Sequence, residues 1–94
     1  MTHRTATIDC TPREAEAVAS GFHSYVVTMP LGGGKEHRFT SPSFPAEEIV
    51  EAATRHGRGA MVYGVATLAK LDVTVLAATY HPKKGWKYAE GFNP

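Results

Sequence analysis

The residues best suited to chemistry in this chain lie near its C-terminus, where cations alternate with aromatic rings. From Tyr80 to Tyr88 the sequence reads Tyr-His-Pro-Lys-Lys-Gly-Trp-Lys-Tyr. Lysines neutralise phosphates while aromatic rings stack on nucleic-acid bases, and Trp and Tyr are also enriched at protein–protein hot spots. The pattern indicates a binding surface, and its candidate partner-binding residues are Lys83, Lys84, Trp86, Lys87 and Tyr88.

A plainer interpretation of the same segment stays open. In that interpretation it is a lysine-rich turn, and Trp86 and Tyr88 cover the edge of the hydrophobic core. Two further cations, Arg55 and Arg58, lie at the end of a predicted helix. They can extend the binding surface, although cations at a helix C-terminus also stabilise the helix dipole.

Cys10 is the only cysteine, so an intrachain disulfide is excluded. It directly precedes a predicted helix, and a thiol at a helix N-terminus can have a lowered pKa and act as a nucleophile. However, the alternation of residues places Cys10 on an apolar face with Ala6 and Ile8, which favours a structural role. A small enzyme with a Cys10-based site is therefore a minor alternative.

Motifs for metals, phosphates and catalysis are missing from the sequence. No two of the five histidines are three or four residues apart, so no metal site is predicted. The run Gly32–Gly34 before Lys35 lacks the Ser or Thr and the following helix of a Walker A loop. We expect no catalytic residues and no cofactor.

Composition and charge narrow the class of protein further. A chain of 94 residues with 43% apolar residues is expected to form one domain, residues 1–94. A net charge of +1 is too small for broad electrostatic capture of nucleic acid or anionic lipid. No apolar segment typical of a signal peptide follows Met1, and Lys70 and Asp72 interrupt the longest apolar run. We expect a cytoplasmic protein without a membrane partner.

Start and stop signals divide the chain into alternating strands and helices. Thr11, Pro12 and Glu14 predict a capped helix that ends at Gly21, and Pro45 and Gly57 bracket a second helix capped by Ser43 or Phe44. Period-two and apolar runs predict strands over residues 5–10, 25–29, 37–40, 60–69, 73–80 and 86–89. Strands 25–29 and 37–40 are expected to form a hairpin around the glycines, and strands 60–69 and 73–80 a hairpin that turns at residues 70–72.

This order predicts an α+β fold with the βαββαβ connectivity of a ferredoxin-like domain and one or two appended C-terminal strands. The sheet is expected to be antiparallel, with two helices on one face. Strands 60–69 and 73–80 are apolar on both faces, so they are expected to be central. Gly64 indicates a bulge or a close approach of other atoms.

The leading functional hypothesis is a small non-catalytic protein-binding module that docks on a larger protein or complex. Surplus apolar sheet surface often marks such an interface or a homodimer seam. By analogy of size and architecture alone, the module could inhibit by occlusion, like small inhibitors that phages encode against host defence systems. The runner-up is nucleic-acid binding through the C-terminal segment. An RRM is not favoured, since the third predicted strand, His37–Thr40, has a single aromatic residue.

Overall fold

The structure, a computed structural model that describes residues 7–94, contains two helices and one five-stranded sheet. The elements are α1 (Pro12–Ser20), β1 (Ser24–Gly32), β2 (Lys35–Ser41), α2 (Ala46–His56), β3 (Ala60–Leu68), β4 (Leu71–His81) and β5 (Gly85–Tyr88). All neighbouring strands are antiparallel, in the order β2-β1-β3-β4-β5. The α+β prediction is confirmed, and β3 and β4 lie inside the sheet as expected.

The ferredoxin-like order is not confirmed, because residues 7–94 contain no strand before α1. Of the predicted strand 5–10, residues 5 and 6 lie outside the described residues. Among residues 7–10 only Ile8 pairs, through an isolated parallel bridge to Ala89. Its N–H donates to the carbonyl of Tyr88 at 2.9 Å, and its carbonyl accepts from Glu90 at 3.2 Å. These bonds place the segment beside the end of β5, at the edge of the sheet.

Local signals explain where the two helices begin and end. Thr11 and Glu14 form the predicted capping box, with hydrogen bonds of 2.9 and 3.2 Å. The capping prediction for α2 is wrong, because its N-cap is Pro45 and no side chain caps it. Gly57 ends α2 in a left-handed conformation, φ 67°, as its position indicated. Among the described residues, neither helix is long and apolar enough to cross a membrane.

Two tight hairpin turns differ in how visible they are in the sequence. The β1–β2 turn uses Gly33 and Gly34 at φ 61° and 76°, which confirms the hairpin expected around the glycines. The β3–β4 turn uses Ala69 and Lys70 at φ 49° and 67°, one residue earlier than predicted. A two-residue hairpin favours positive φ at both central positions, which Asn and Gly adopt more easily than Ala or Lys.

Both helices pack on the same face of the sheet. Ile49 of α2 is buried against Val27 and Val62, whereas Val18 of α1 is buried against Ala66. Because side chains alternate along a strand, Val62 and Ala66 of β3 point to one side. We call this side the helix face and the opposite side the open face.

Gly64 lies on the helix face where an aromatic ring occupies the place of its missing side chain. A Cβ atom added to Gly64 would lie 2.4 Å from the ring of Phe22. That ring is 5.9 Å from the ring of Tyr25 and 5.6 Å from that of Phe92. The expected close approach is therefore present, and it joins the end of α1 to the middle of the sheet.

We predict that Gly64→Ala destabilises the protein by about 1–3 kcal/mol, because the added methyl group forces Phe22 out of its position. Where space allows, Gly→Ala is instead stabilising by about 0.4–1 kcal/mol. Urea unfolding measures the difference. Phe22→Ala should lower the free energy of unfolding less in the Gly64→Ala background than in the original chain, because the contact is already disturbed there. An equal loss in the two backgrounds would contradict the contact between Phe22 and Gly64.

Candidate functional site

The antiparallel order brings four of the predicted cations to one end of the molecule. The β1–β2 and β4–β5 turns and the start of β3 lie at the same end of the sheet, which we call the hairpin end. Lys83 and Lys84 occupy the β4–β5 turn, Arg58 precedes β3, and Arg55 is in the last turn of α2. All four side chains are exposed.

Two further cations, Lys35 and Arg38, extend this group and were missed as site residues in the sequence. Lys35 begins β2, and Arg38 pairs with Thr28 in β1. Seven of the nine lysines and arginines in residues 7–94 therefore lie in the half of the molecule at the hairpin end: Lys35, Arg38, Arg55, Arg58, Lys83, Lys84 and Lys87. Of the nine acids in the same residues, three lie there: Glu36, Glu51 and Glu48, which lines a groove together with His37 and Arg55. The net charge of +1 hides this separation.

The cations at the hairpin end differ in their surroundings. Arg55 is paired with Glu51 at 2.7 Å, and both side chains are exposed. Such a pair is worth about 0.3–0.5 kcal/mol. The Arg58 guanidinium lies against the β1–β2 turn, since a Cβ atom on Gly32 would be 2.8 Å from its Nη2. In residues 7–94, no salt bridge involves Arg58 or the lysines of the C-terminal segment.

Strand alternation separates the aromatic rings of the C-terminal segment from Lys87. Trp86 pairs with Tyr80 on the helix face, with ring centroids 4.9 Å apart, and Trp86 and Tyr88 stack at 5.7 Å. Trp86 also lies 5.3 Å from Phe44. Burial raises the pKa of Tyr88 above its ordinary value. The two rings thus cover the core, and the lysines lie outside that cluster.

The open face carries an apolar centre that the sequence did not assign to a site. Val26, Tyr63 and Leu76 are neighbours across β1, β3 and β4, and each is half-buried. Met61, on the same face, is 41% exposed and accepts a hydrogen bond from the Tyr63 hydroxyl at 3.7 Å. Within residues 7–94, both helices pack on the other side, so no helix covers this face.

Cys10 is half-buried, and its surroundings oppose activation. Its Sγ donates to the carbonyl of Ile8 at 3.8 Å, and it packs against the core cluster around α1. Burial, and next the carboxylate of Glu14, raises the pKa of the thiol. The lowered pKa considered for a thiol at this helix N-terminus is therefore wrong. In residues 7–94 no three His, Cys, Asp or Glu side chains form a group that could hold a metal ion.

Comparison of the chain with protein-family models, with curated proteins and with solved structures gave no match.

We predict that Trp86→Ala destabilises the protein by about 2–3 kcal/mol, because the indole packs among other rings on the helix face. Lys83→Ala and Lys84→Ala should each change stability by less than about 0.5 kcal/mol, since exposed side chains contribute little. Thermal unfolding monitored by circular dichroism compares the three variants. A Trp86→Ala variant as stable as the lysine variants would show that the ring does not belong to the core.

We also predict that Cys10 is alkylated by iodoacetamide with a pH midpoint above the ordinary thiol value of about 8.5. A raised pKa leaves the neutral thiol dominant to higher pH, and only the thiolate reacts. The protein unfolded in urea serves as the control and should show the ordinary midpoint. A folded-state midpoint below that of the unfolded chain would contradict the raised pKa.

Proposed function

We propose that this protein is a small non-catalytic module that docks on a larger protein through its open face and its hairpin end. The observation that carries the proposal is the apolar centre of the open face, where Met61 is 41% exposed next to Tyr63 and Leu76. An apolar centre with a polar surround is the usual anatomy of a protein–protein interface. Complete burial of a fully exposed apolar side chain contributes about 1.5–3 kcal/mol, and Met61, which is 41% exposed, can contribute about 1 kcal/mol of this.

The open face alone is smaller than a standard interface, which supports an interface that includes both the open face and the hairpin end. The sheet of five strands is roughly 19 Å wide between its outer strands and roughly 30 Å long along β3. The area of its open face is therefore roughly 600 Å². A standard interface buries about 800 Å² on each partner. The contact therefore needs to extend past the sheet, and Lys83, Lys84 and Arg58 adjoin it at the hairpin end.

The charge at the hairpin end indicates the chemistry of the partner. The exposed cations there favour an acidic surface beside the apolar patch of the partner, because complementary charge raises the association rate and fixes orientation. A sheet face that covers such a patch can act by occlusion, so inhibition of the covered protein is the proposed mode of action.

Nucleic-acid binding is the second candidate, and the clustering of seven cations at one end favours it. Phosphate contacts from Lys83, Lys84, Lys87, Arg55 and Arg58 would supply affinity that falls steeply with salt. The position of Trp86 and Tyr88 in the core weakens this candidate, since stacking needs free ring faces.

We predict that affinity capture separates these candidates when it compares surface variants. Met61→Glu should reduce the yield of a captured protein at least tenfold, because a carboxylate at the centre of the interface loses its hydration without gaining a partner. Leu71→Glu is the matched control: Leu71 is 63% exposed, and its position in β4 places it on the helix face. This variant should capture as much as the original chain. Quantitative mass spectrometry of the captured protein provides the measurement.

Two results would count against docking through the open face. Equal capture by Met61→Glu and by the original chain would remove the open face from the interface. If nuclease treatment removes the captured material, and if Lys83→Glu and Lys84→Glu also abolish the capture, nucleic-acid binding is favoured. Circular dichroism of each variant confirms that it is folded.

A further inference from the structure

β2 is the long free edge of the sheet in residues 7–94. It pairs with β1 alone, extends over seven residues and contains no proline. The other edge is the four-residue strand β5, whose end is flanked by the bridge between Ile8 and Ala89. A free edge exposes unpaired N–H and C=O groups, which pair readily with another strand.

Two exposed charges on this edge have no salt-bridge partner in residues 7–94. Glu36 and Arg38 lie on the open face, and their neighbours in β1 are Pro30 and Thr28. Neither neighbour is charged, and in residues 7–94 no salt bridge involves either side chain. A strand added outside β2 would lie on the other side of both charges and could supply their partners.

We propose that this strand is β2 of a second copy, paired antiparallel about a twofold axis through His37. In this register Glu36 lies opposite Arg38 of the second copy, and Arg38 lies opposite its Glu36. Opposite charges directly across an antiparallel pair stabilise it, and here the symmetry supplies the pair twice. Lys35 lies opposite Phe39, so its stem can pack on the ring.

Charge selects this register from the symmetric alternatives. Residues directly opposite must share a face, so the axis passes through a residue position. An axis at Arg38 or at Glu36 places that side chain opposite its own copy, and like charges there are destabilising. An axis at Phe39 or beyond leaves Glu36 outside the paired segment.

Five of the seven residues of β2 are exposed, which leaves room for an added strand. On the helix face, a groove of about 370 Å³ separates β2 from α2 and is lined by residues that include Phe39, Glu51 and Arg55. In the dimer the two sheets continue as one, and both open faces lie on the same side. The pairing adds a second copy without using the apolar centre of either open face, so it is independent of the proposed docking function.

Light scattering over a concentration series tests the dimer. The mass should rise from 10.1 kDa towards twice that value and fall again at high salt. Arg38→Glu and Glu36→Arg should each remain monomeric, because each variant places like charges opposite one another. An equimolar mixture of the two variants should dimerise, since every facing pair is then complementary. A monomer at all concentrations, or a dimer that neither charge reversal weakens, would overturn the proposal.

Disulfide cross-linking tests the register. Opposite Cα atoms in an antiparallel pair are about 4.5–5.5 Å apart, which suits a disulfide. In a Cys10→Ser background, His37→Cys should form an intermolecular disulfide under mild oxidation. The controls are Arg38→Cys and Thr54→Cys, and both should cross-link at least tenfold more slowly. Thr54 is exposed on α2, away from the edge. Faster cross-linking through Arg38→Cys than through His37→Cys would overturn the register.

Discussion

The missing side chain at Gly64 creates the contact on which the rest of this arrangement depends. The Phe22 ring occupies that space at the centre of β3 and thereby fixes the exit of α1 on the sheet. From Phe22, ring contacts continue through Tyr25 and Phe44 to Trp86, at 5.9, 5.6 and 5.3 Å. This series of rings connects the core cluster under α1 with the one under α2, and through Trp86 it packs the helix face of β5 against both.

Because both helices of residues 7–94 and this series of rings occupy one side of the sheet, no helix covers the apolar residues of the other side. Tyr63 and Leu76 are half-buried within the sheet surface rather than beneath another layer. The same antiparallel order collects the cations at the hairpin end, where Arg58, Lys83 and Lys84 extend the surface that begins at Met61. The apolar centre of the open face thus lies next to the positive charge of the hairpin end.

Several local features could be predicted from the sequence, and the exceptions have identifiable causes. The capping box of Thr11 and Glu14 and the glycine hairpin involve residues within a few positions of each other. The turn at Ala69 and Lys70 was misplaced by one residue because neither side chain is typical of positive φ. The period-two alternation that separates Trp86 from Lys87 was already present in the sequence, but a composition of lysines and aromatics does not show which residues share a face.

The sequence by itself determined the type and approximate bounds of both helices and of the five strands of the sheet, because capping, turn chemistry and periodicity act over a few residues. The strand predicted over residues 5–10 is the exception, since in residues 7–10 only Ile8 pairs. The sequence also placed β3 and β4 inside the sheet, through their apolar residues on both faces. Only the tertiary structure decided that the segment around Ile8 lies beside β5, that seven cations share one end and that the face with Met61 is open. Those outcomes depend on strand order and direction, which arise from contacts between residues far apart in the chain, such as Phe22 on Gly64.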